Sequence, residues 1–479
     1  MVFEYVLSVL PKIKTSQDLM SAILESTEKE HIANFDLNAE SNAIKLMAKI
    51  SPELTIATFS YANAIFNSKG GKFHPFLSKL QSTKRQVAEA LSENITINIP
   101  PKTTNRFRVV TVLPYSPHNL NNNILRVTLS YVNALLQHEQ VESSHFLVTN
   151  ELAVIDKNAI LPRSFEFEKI WKTHRDILNE LGCAHSVLRY GMPPMVGEGV
   201  FQSNIDILKD LKPNIIFIMN MEQTVCFSHI YRQVCPVVYL QTSLNNRPVY
   251  DYDRYLYLGE HREIDSSHIH PALWHYHPFG YPKFGFLNTI SRSELKLDDN
   301  DFVMITAGNR LESEITQDYG IQMANLLIEN PRIKWILLGV KDESVIVNCF
   351  KGKYDEIKDN LRFVSYSNSI GDYMNISDIY ANLPRSGGAV SMSIAIYAGI
   401  PVLNFDNSDA NTFVPSQDQY QNLESYFSAL KTISSDKNAY KTMVNRQLQQ
   451  FDNFNTPEKS ADDLIKHFEA VSPKSTPIS

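Results

Sequence analysis

Cysteine is scarce in this chain and poorly placed for chemistry. Cys183, Cys226, Cys235 and Cys349 are scattered, with no C-x-x-C pair and no Cys/His metal spacing, the pattern of buried, reduced thiols in a cytosolic protein. Long hydrophobic runs are also missing. No stretch approaches the roughly 20 uninterrupted apolar residues needed to cross a bilayer. The N-terminus, a short apolar run followed by Lys12 and Lys14, lacks a basic leader and a small-residue cleavage site, and reads as a helix rather than a signal peptide. Positive charge is in deficit, with 45 Lys and Arg against 52 Asp and Glu and a net charge of -7. That balance argues against a nucleic-acid partner, because phosphate-backbone affinity needs clustered cations. Of 14 histidines, four fall within residues 268–278. No HExxH helix and few carboxylates accompany them, so they read as loop histidines that pack or line a cleft, and no metal site is expected. The acidic run Asp298-Asp299-Asn300-Asp301 looks like a turn before a strand rather than a metal-binding carboxylate pair.

The chain has 479 residues, 43% hydrophobic and 20% charged, which is too long for one ordinary core and typical of a globular protein. Apolar residues recur at threes and fours from about residue 17 to residue 94, interrupted at Gly70-Gly71, and predict helices. A Pro-rich linker covers residues 99–105. From Phe107 the pattern changes to short β-branched and apolar runs (FRVVTVL, HFLVT, NIIFIMN, PVVYLQ) separated by helix-like or loop material. A second series begins at Asp301 with FVMITAG, IKWILLG, LRFVSY, DIYANL and PVLNF. Buried strands alternating with helices predict parallel sheets covered on both faces. The expected fold is therefore α/β, with two Rossmann-like domains facing across a cleft. The expected divisions are a helical region at 1–104, an N-terminal Rossmann-like domain at 105–290, a C-terminal one at 291–415, and helices at 416–479.

Polar residues gather where strands of the second block end, the place at which open parallel sheets bind ligands. After FVMITA, Gly308 allows a tight turn, and Asn309 and Arg310 follow. An always-charged guanidinium there suits a diphosphate, or it caps the turn in solvent. After DIYANL come Arg385, Gly387 and Gly388, and the helix beginning at Ala389, Val390 and Ser391 starts at once. Free backbone N–H groups at a helix start make a ready anion site. Ser391 or Ser393 is placed to add a hydroxyl.

Over about Asp301 to Phe413, the ordered series GNRLESEI, PRIKWILLG, LRFVSYSNS and NLPRSGGAVSMSIAIYAGIPVLNFDNSDA resembles the donor domain of bacterial GT-B glycosyltransferases. It is most similar to family-4-like enzymes with an NPPRxGGG-type signature. The resemblance implies transfer of a sugar from a nucleoside-diphosphate sugar, hexosyltransferase-like, to a glycan, lipid-linked or protein acceptor, as in cell-surface glycan synthesis or protein glycosylation. It implies that Asn309, Arg310, Arg385, Gly387, Gly388, Ala389, Val390 and Ser391 hold the donor diphosphate. The loop with Asp406, Ser408 and Asp409 would lie near the sugar or ribose. One departure matters: where family-4 enzymes carry a Glu-x7-Glu pattern, this chain has Ser386 and Ile394, and an apolar isoleucine cannot hold a ribose diol.

On the acceptor side, His118 in the loop after FRVVTVL and Glu222 after NIIFIMN are candidates for the base that helps an acceptor attack. His118 otherwise caps the next helix. The long aromatic segment at residues 241–282 reads as an acceptor-cleft lining or as a scaffold of buried tyrosines. No cofactor beyond the nucleotide sugar is expected, and the location expected is cytoplasmic. Residues 1–100 would position a protein acceptor, dock a partner protein or second copy, or pack as an extension of the N-terminal domain. A catalytically silent GT-B relative serving as a partner-binding or chaperone subunit is the main alternative, and a GT-B-shaped epimerase is a third.

Overall fold

The computed structural model describes residues 2–14, 16–26, 37–51, 54–55, 58, 86–87, 89–90, 106–113, 123–149, 167–191, 200–219, 231–232, 235–241, 252–257, 271–278, 280–282, 289–365, 367, 369–385, 388–406, 408, 411, 414–451 and 456–472. The chain divides into two units. The first is Met1–Leu258 with Arg262–His277 and Glu458–Ser479, and the second is Gly259–His261 with Pro278–Pro457.

In the first unit seven strands run parallel: β1 (Phe107–Leu113), β2 (Val141–Val148), β3 (Leu188–Tyr190), β4 (Ile215–Met219), β5 (Val237–Gln241), β6 (Arg254–Tyr257) and β7 (Trp274–Tyr276). Their order is β3-β2-β1-β4-β5-β6-β7. The central strands are buried along almost their whole length, because both sheet faces are covered. Helices α1 (Val2–Ser8), α2 (Ser16–Ser26) and α3 (Leu37–Ile50) bury Val6, Leu19, Ile23, Ile44 and Met47 in one cluster with Val110, Val112, Ile216, Ile218 and Val237. On alternate residues of the same strands, Leu113, Phe146 and Val148 pack with Leu125, Leu129 and Val132 of α4 (Asn123–Gln137) and Ile177 of α5 (Phe167–Glu180). Helix α6 (Val200–Leu211) joins the first cluster through Ile205 and Leu208. Strands β6 and β7 come from the aromatic segment, of which Tyr252 and Tyr255 are buried and pack ring to ring with Tyr239, whereas Tyr276 is exposed.

The second unit is also an all-parallel sheet: β8 (Phe302–Ala307), β9 (Ile333–Leu338), β10 (Leu361–Val364), β11 (Ile379–Ala381), β12 (Val402–Phe405) and β13 (Gln419–Tyr420), ordered β10-β9-β8-β11-β12-β13. Its described helices are α7 (Leu311–Glu314), α8 (Gln317–Glu329), α9 (Glu343–Asn348), α10 (Tyr354–Ile357), α11 (Ile370–Asn375), α12 (Ala389–Tyr397), α13 (Leu423–Ser435) and α14 (Lys437–Phe451). Several have local start signals. The Thr316 side chain accepts from the Tyr319 N–H at the start of α8, and Asn422 accepts from Ser425 N–H at α13, each satisfying an amide that the helix leaves without a partner. Across the sheet, Trp335 donates its indole N–H to Thr306 Oγ1 at 2.9 Å, and that hydroxyl donates to the Ala381 carbonyl at 2.7 Å. This ties the middle of β9 to the ends of β8 and β11.

The C-terminal helices do not stay in one unit. Helices α13 and α14 belong to the second, whereas α15 (Pro457–Val471) belongs to the first. There Phe468 meets Phe107 and Phe217 edge to face, at 5.8 and 5.9 Å between ring centroids. Among the described residues no helix is long and apolar enough to cross a membrane.

Candidate functional site

Strands β8 and β11 are neighbours, and the strand order of the second unit reverses between them. In an open α/β sheet the crevice beyond the carboxyl ends of two such strands is the default ligand site. The two segments singled out from the sequence leave these two strands. Residues 308–310 follow β8, and residues 382–388 lead from β11 into α12.

Asn309 and Arg310 are exposed, the Arg310 side chain to 66%. Arg385 is different. Its side chain is 9% exposed, and its three nitrogens make four hydrogen bonds. Nε donates to Asn382 Oδ1 at 2.9 Å, and Nη1 to Glu314 Oε2 at 2.6 Å. Nη2 donates to the Ala307 carbonyl at 2.8 Å and the Tyr380 hydroxyl at 3.1 Å. These use four of the five N–H groups that a guanidinium carries. Burial works against its charge, and Tyr380 and Glu314 more than restore it, so its pKa lies above the ordinary arginine value.

Glu314 is the residue that sequence reasoning missed. One carboxylate oxygen accepts from Arg385, and the other accepts from Arg310 Nε at 3.0 Å and pairs with its Nη2 at 2.9 Å. The available signal was its position four residues after Arg310 on a helical turn, where opposite charges meet.

Gly388, with φ +109°, precedes the first residue of α12, and no side-chain cap is seen there among the described residues. The first-turn N–H groups of a helix lack intrahelical partners. Ala389 is buried, and Val390 and Ser391 are half-buried. Ser393 is withdrawn from any ligand: it is fully buried and donates to the Val390 carbonyl at 2.7 Å. Ile394 is buried as well, so its side chain belongs to the core rather than to a ribose pocket. After β12, Asp406 is exposed and Ser408 is buried.

From Asn382 to Asn411 runs a line of amides that the sequence did not announce. Asn382 Nδ2 donates to Asn404 Oδ1 at 3.0 Å, and Asn404 Nδ2 donates to Asn411 Oδ1 at 2.7 Å. Asn411 then donates to the Asp406 carbonyl. Asn382 and Asn404 are wholly buried. Asparagine inside an otherwise apolar strand run was the legible sign, because a buried amide needs partners.

His118, Glu222, Gly387, Asp409 and Ser386 lie outside the described residues. Their strands are nonetheless placed. His118 and Glu222 follow β1 and β4 in sequence, which pair side by side at the reversal of strand order in the first unit. Of the histidines at 268–278, His277 is fully buried, with Nε2 2.8 Å from Ser460 Oγ, which in turn lies 2.7 Å from the Tyr131 hydroxyl.

Two doubly wound units with all-parallel sheets make this an α/β chain of the GT-B fold. No known protein family and no curated protein sequence matches it. Among solved structures, an O-GlcNAc transferase mutant from Thermobaculum terrenum aligns with a TM-score of 0.54 at 12% identity, over 98% of this chain and 97% of that one. Anabaena HepE in complex with UDP and glucose aligns with a TM-score of 0.52 at 11% identity, over 76% of this chain and 100% of that one. At these identities the likeness is one of fold.

Proposed function

We propose that this chain is a nucleotide-sugar-dependent glycosyltransferase, hexosyltransferase-like, which seats the donor diphosphate at the carboxyl ends of β8 and β11. The observation that carries the reading is a juxtaposition at the strand-order reversal. An exposed guanidinium, Arg310, leaves β8, and the start of α12 follows β11. A cation and free helix amides are the chemistry that stabilises a departing diphosphate as charge develops on it. In this reading Arg310 and the amides of Ala389, Val390 and Ser391 receive the diphosphate. Asn309, Gly387 and Gly388 let it approach, and Asp406 with Asp409 lies toward the sugar or ribose. The donor unit is read as family-4-like, with Ile394 in place of the ribose carboxylate. The base is His118 or Glu222, and the acceptor is a glycan, a lipid-linked sugar or a protein. That HepE was solved with UDP and glucose supports a uridine nucleotide as the first donor to try.

The test is a thermal-shift panel of nucleotide sugars. At least one should raise the melting temperature once its concentration exceeds its dissociation constant. Arg310→Ala should weaken that ligand by about 1.5–3 kcal/mol, the loss expected for a charge-assisted hydrogen bond. If no nucleotide sugar binds at millimolar concentration, the transferase reading fails.

One observation favours a second reading, a silent relative that binds a partner or a sugar nucleotide without turnover. Glu314 pairs with both arginines, which lowers the positive charge offered to a leaving group. Incubation with a radiolabelled sugar nucleotide separates the two. Transfer or hydrolysis of the label supports the enzyme, and binding without either supports the silent relative.

A further inference from the structure

The donor-site reading leaves open how the two arginines share the work, and the geometry divides them. We infer that Arg385 is a positioning residue that acts through Glu314 to aim Arg310, and that Arg310 is the cation that meets the diphosphate. This inference rests on the donor site proposed above.

Three observations lead to it. The first is commitment. Arg385 is buried, and its four hydrogen bonds run to a carboxylate, an amide oxygen, a backbone carbonyl and a phenol. Turning it toward a ligand would break its bonds to Glu314 Oε2 and to the oxygen of the wholly buried Asn382, and losing hydrogen bonds inside the fold is costly.

The second is space. A Cβ on Gly308 would sit 2.5 Å from Arg385 Nη1. One on Gly388 would sit 2.8 Å from Asn382 Oδ1 and 3.2 Å from Arg385 Nη2. Both glycines that flank the crevice therefore clear a path for the Arg385 side chain and its amide partner. Their smallness is explained before any phosphate is invoked.

The third is the linkage. Glu314 is 12% exposed and gives one oxygen to each arginine. With Arg385 holding Oε2, the orientation of Oε1 is set, and Oε1 grips Arg310 through Nε and Nη2. Arg310 Nη1 makes no hydrogen bond among the described residues, and the side chain is exposed. It is tethered at one edge of its guanidinium and open at the other. Two guanidinium charges and one carboxylate sum to a single positive charge, carried at the surface by Arg310.

A double-mutant cycle on the full chain tests this, with binding of UDP, GDP, ADP and inorganic pyrophosphate measured by calorimetry. A pair that acts as a unit shows complete coupling, whereas independent ligands add. Arg385→Lys keeps the charge and loses the four-way fork, and should weaken UDP or pyrophosphate binding about tenfold. In the Arg310→Ala background the same substitution should cost nothing further. Glu314→Gln leaves Arg385 in place and should behave alike, which covers the case in which Arg385→Lys does not fold. Losses that multiply with Arg310→Ala would make Arg385 a direct ligand and overturn the inference, as would unchanged binding in both Arg385→Lys and Glu314→Gln. If the native chain binds none of the four probes, the donor site itself falls and takes this inference with it. Binding by the native chain with additive losses removes the inference alone.

Discussion

A guanidinium lodged between two glycines sets the local chemistry of the second unit. Gly388 holds φ +109°, a conformation costing an L-residue roughly 1–2 kcal/mol, and a Cβ there would press on the Asn382 side chain. Gly388→Ala should therefore destabilise the second unit by at least that amount. Trp335 is wholly buried in that unit, and the other two tryptophans, Trp171 and Trp274, lie in the first. Urea unfolding followed by fluorescence, with both of those changed to Phe as the reference background, would read the loss. An unchanged midpoint would mean that the turn relaxes. At this scale the sequence was a fair guide to which residues matter and a poor one to what they do. Arg310, Arg385 and Gly388 were all legible as a phosphate-loop pattern. The hydrogen bonds that occupy Arg385 were not, because Glu314 lies 71 residues away along the chain.

Elements of the second unit are joined by side chains that stand in for backbone. Gln447 of α14 is 1% exposed, accepts from the Val402 N–H at 2.7 Å and donates to the Val402 carbonyl at 2.8 Å. In this way a helix residue satisfies both main-chain groups of β12 where the two-residue β13 does not pair. Gln447→Leu would leave a buried donor and acceptor without partners, each costing about 1–3 kcal/mol. Hydrogen exchange at Val402 should speed up markedly while exchange in β9 is spared. Uniform acceleration across the sheet would mean instead that the whole unit had weakened. The asparagine line from Asn382 through Asn404 to Asn411 has the same character, since it ties the loop after β11 to the loop after β12. Strand positions were readable from apolar runs. The short strands β6, β7 and β13 were not, because two to four residues carry too little periodicity.

For the whole molecule, the return of α15 to the first unit matters most. Deleting residues 458–479 should lower the stability of the first unit and leave the second unchanged. Exchange rates measured in β1 and β9 would show it, and equal acceleration of both would refute the assignment. Stability should also depend on pH. Burial pushes His174 and His277 down to about 3, the latter aided by nearby His467, from an ordinary 6.5. Between those values the unfolded chain takes up protons that the folded chain refuses. Stability should be level above about pH 6.5 and fall below it, by on the order of 1.4 kcal/mol per pH unit for each ring. His277→Gln should flatten part of that slope in urea titrations run from pH 7 to pH 4.

The α/β class and the two successive blocks of strand and helix were determined by sequence alone. Buried parallel strands must be apolar along their length, and that constraint is local. So was the glycine-rich turn into α12, whose composition answers to a single turn. Tertiary structure alone decided which arginine stays exposed, that Glu314 also reaches Arg385, and that the last described helix returns to the first unit. Those outcomes depend on which distant polar groups come within about 3 Å of each other, and beyond the four-residue step from Arg310 to Glu314 the spacing of residues along the chain does not encode that.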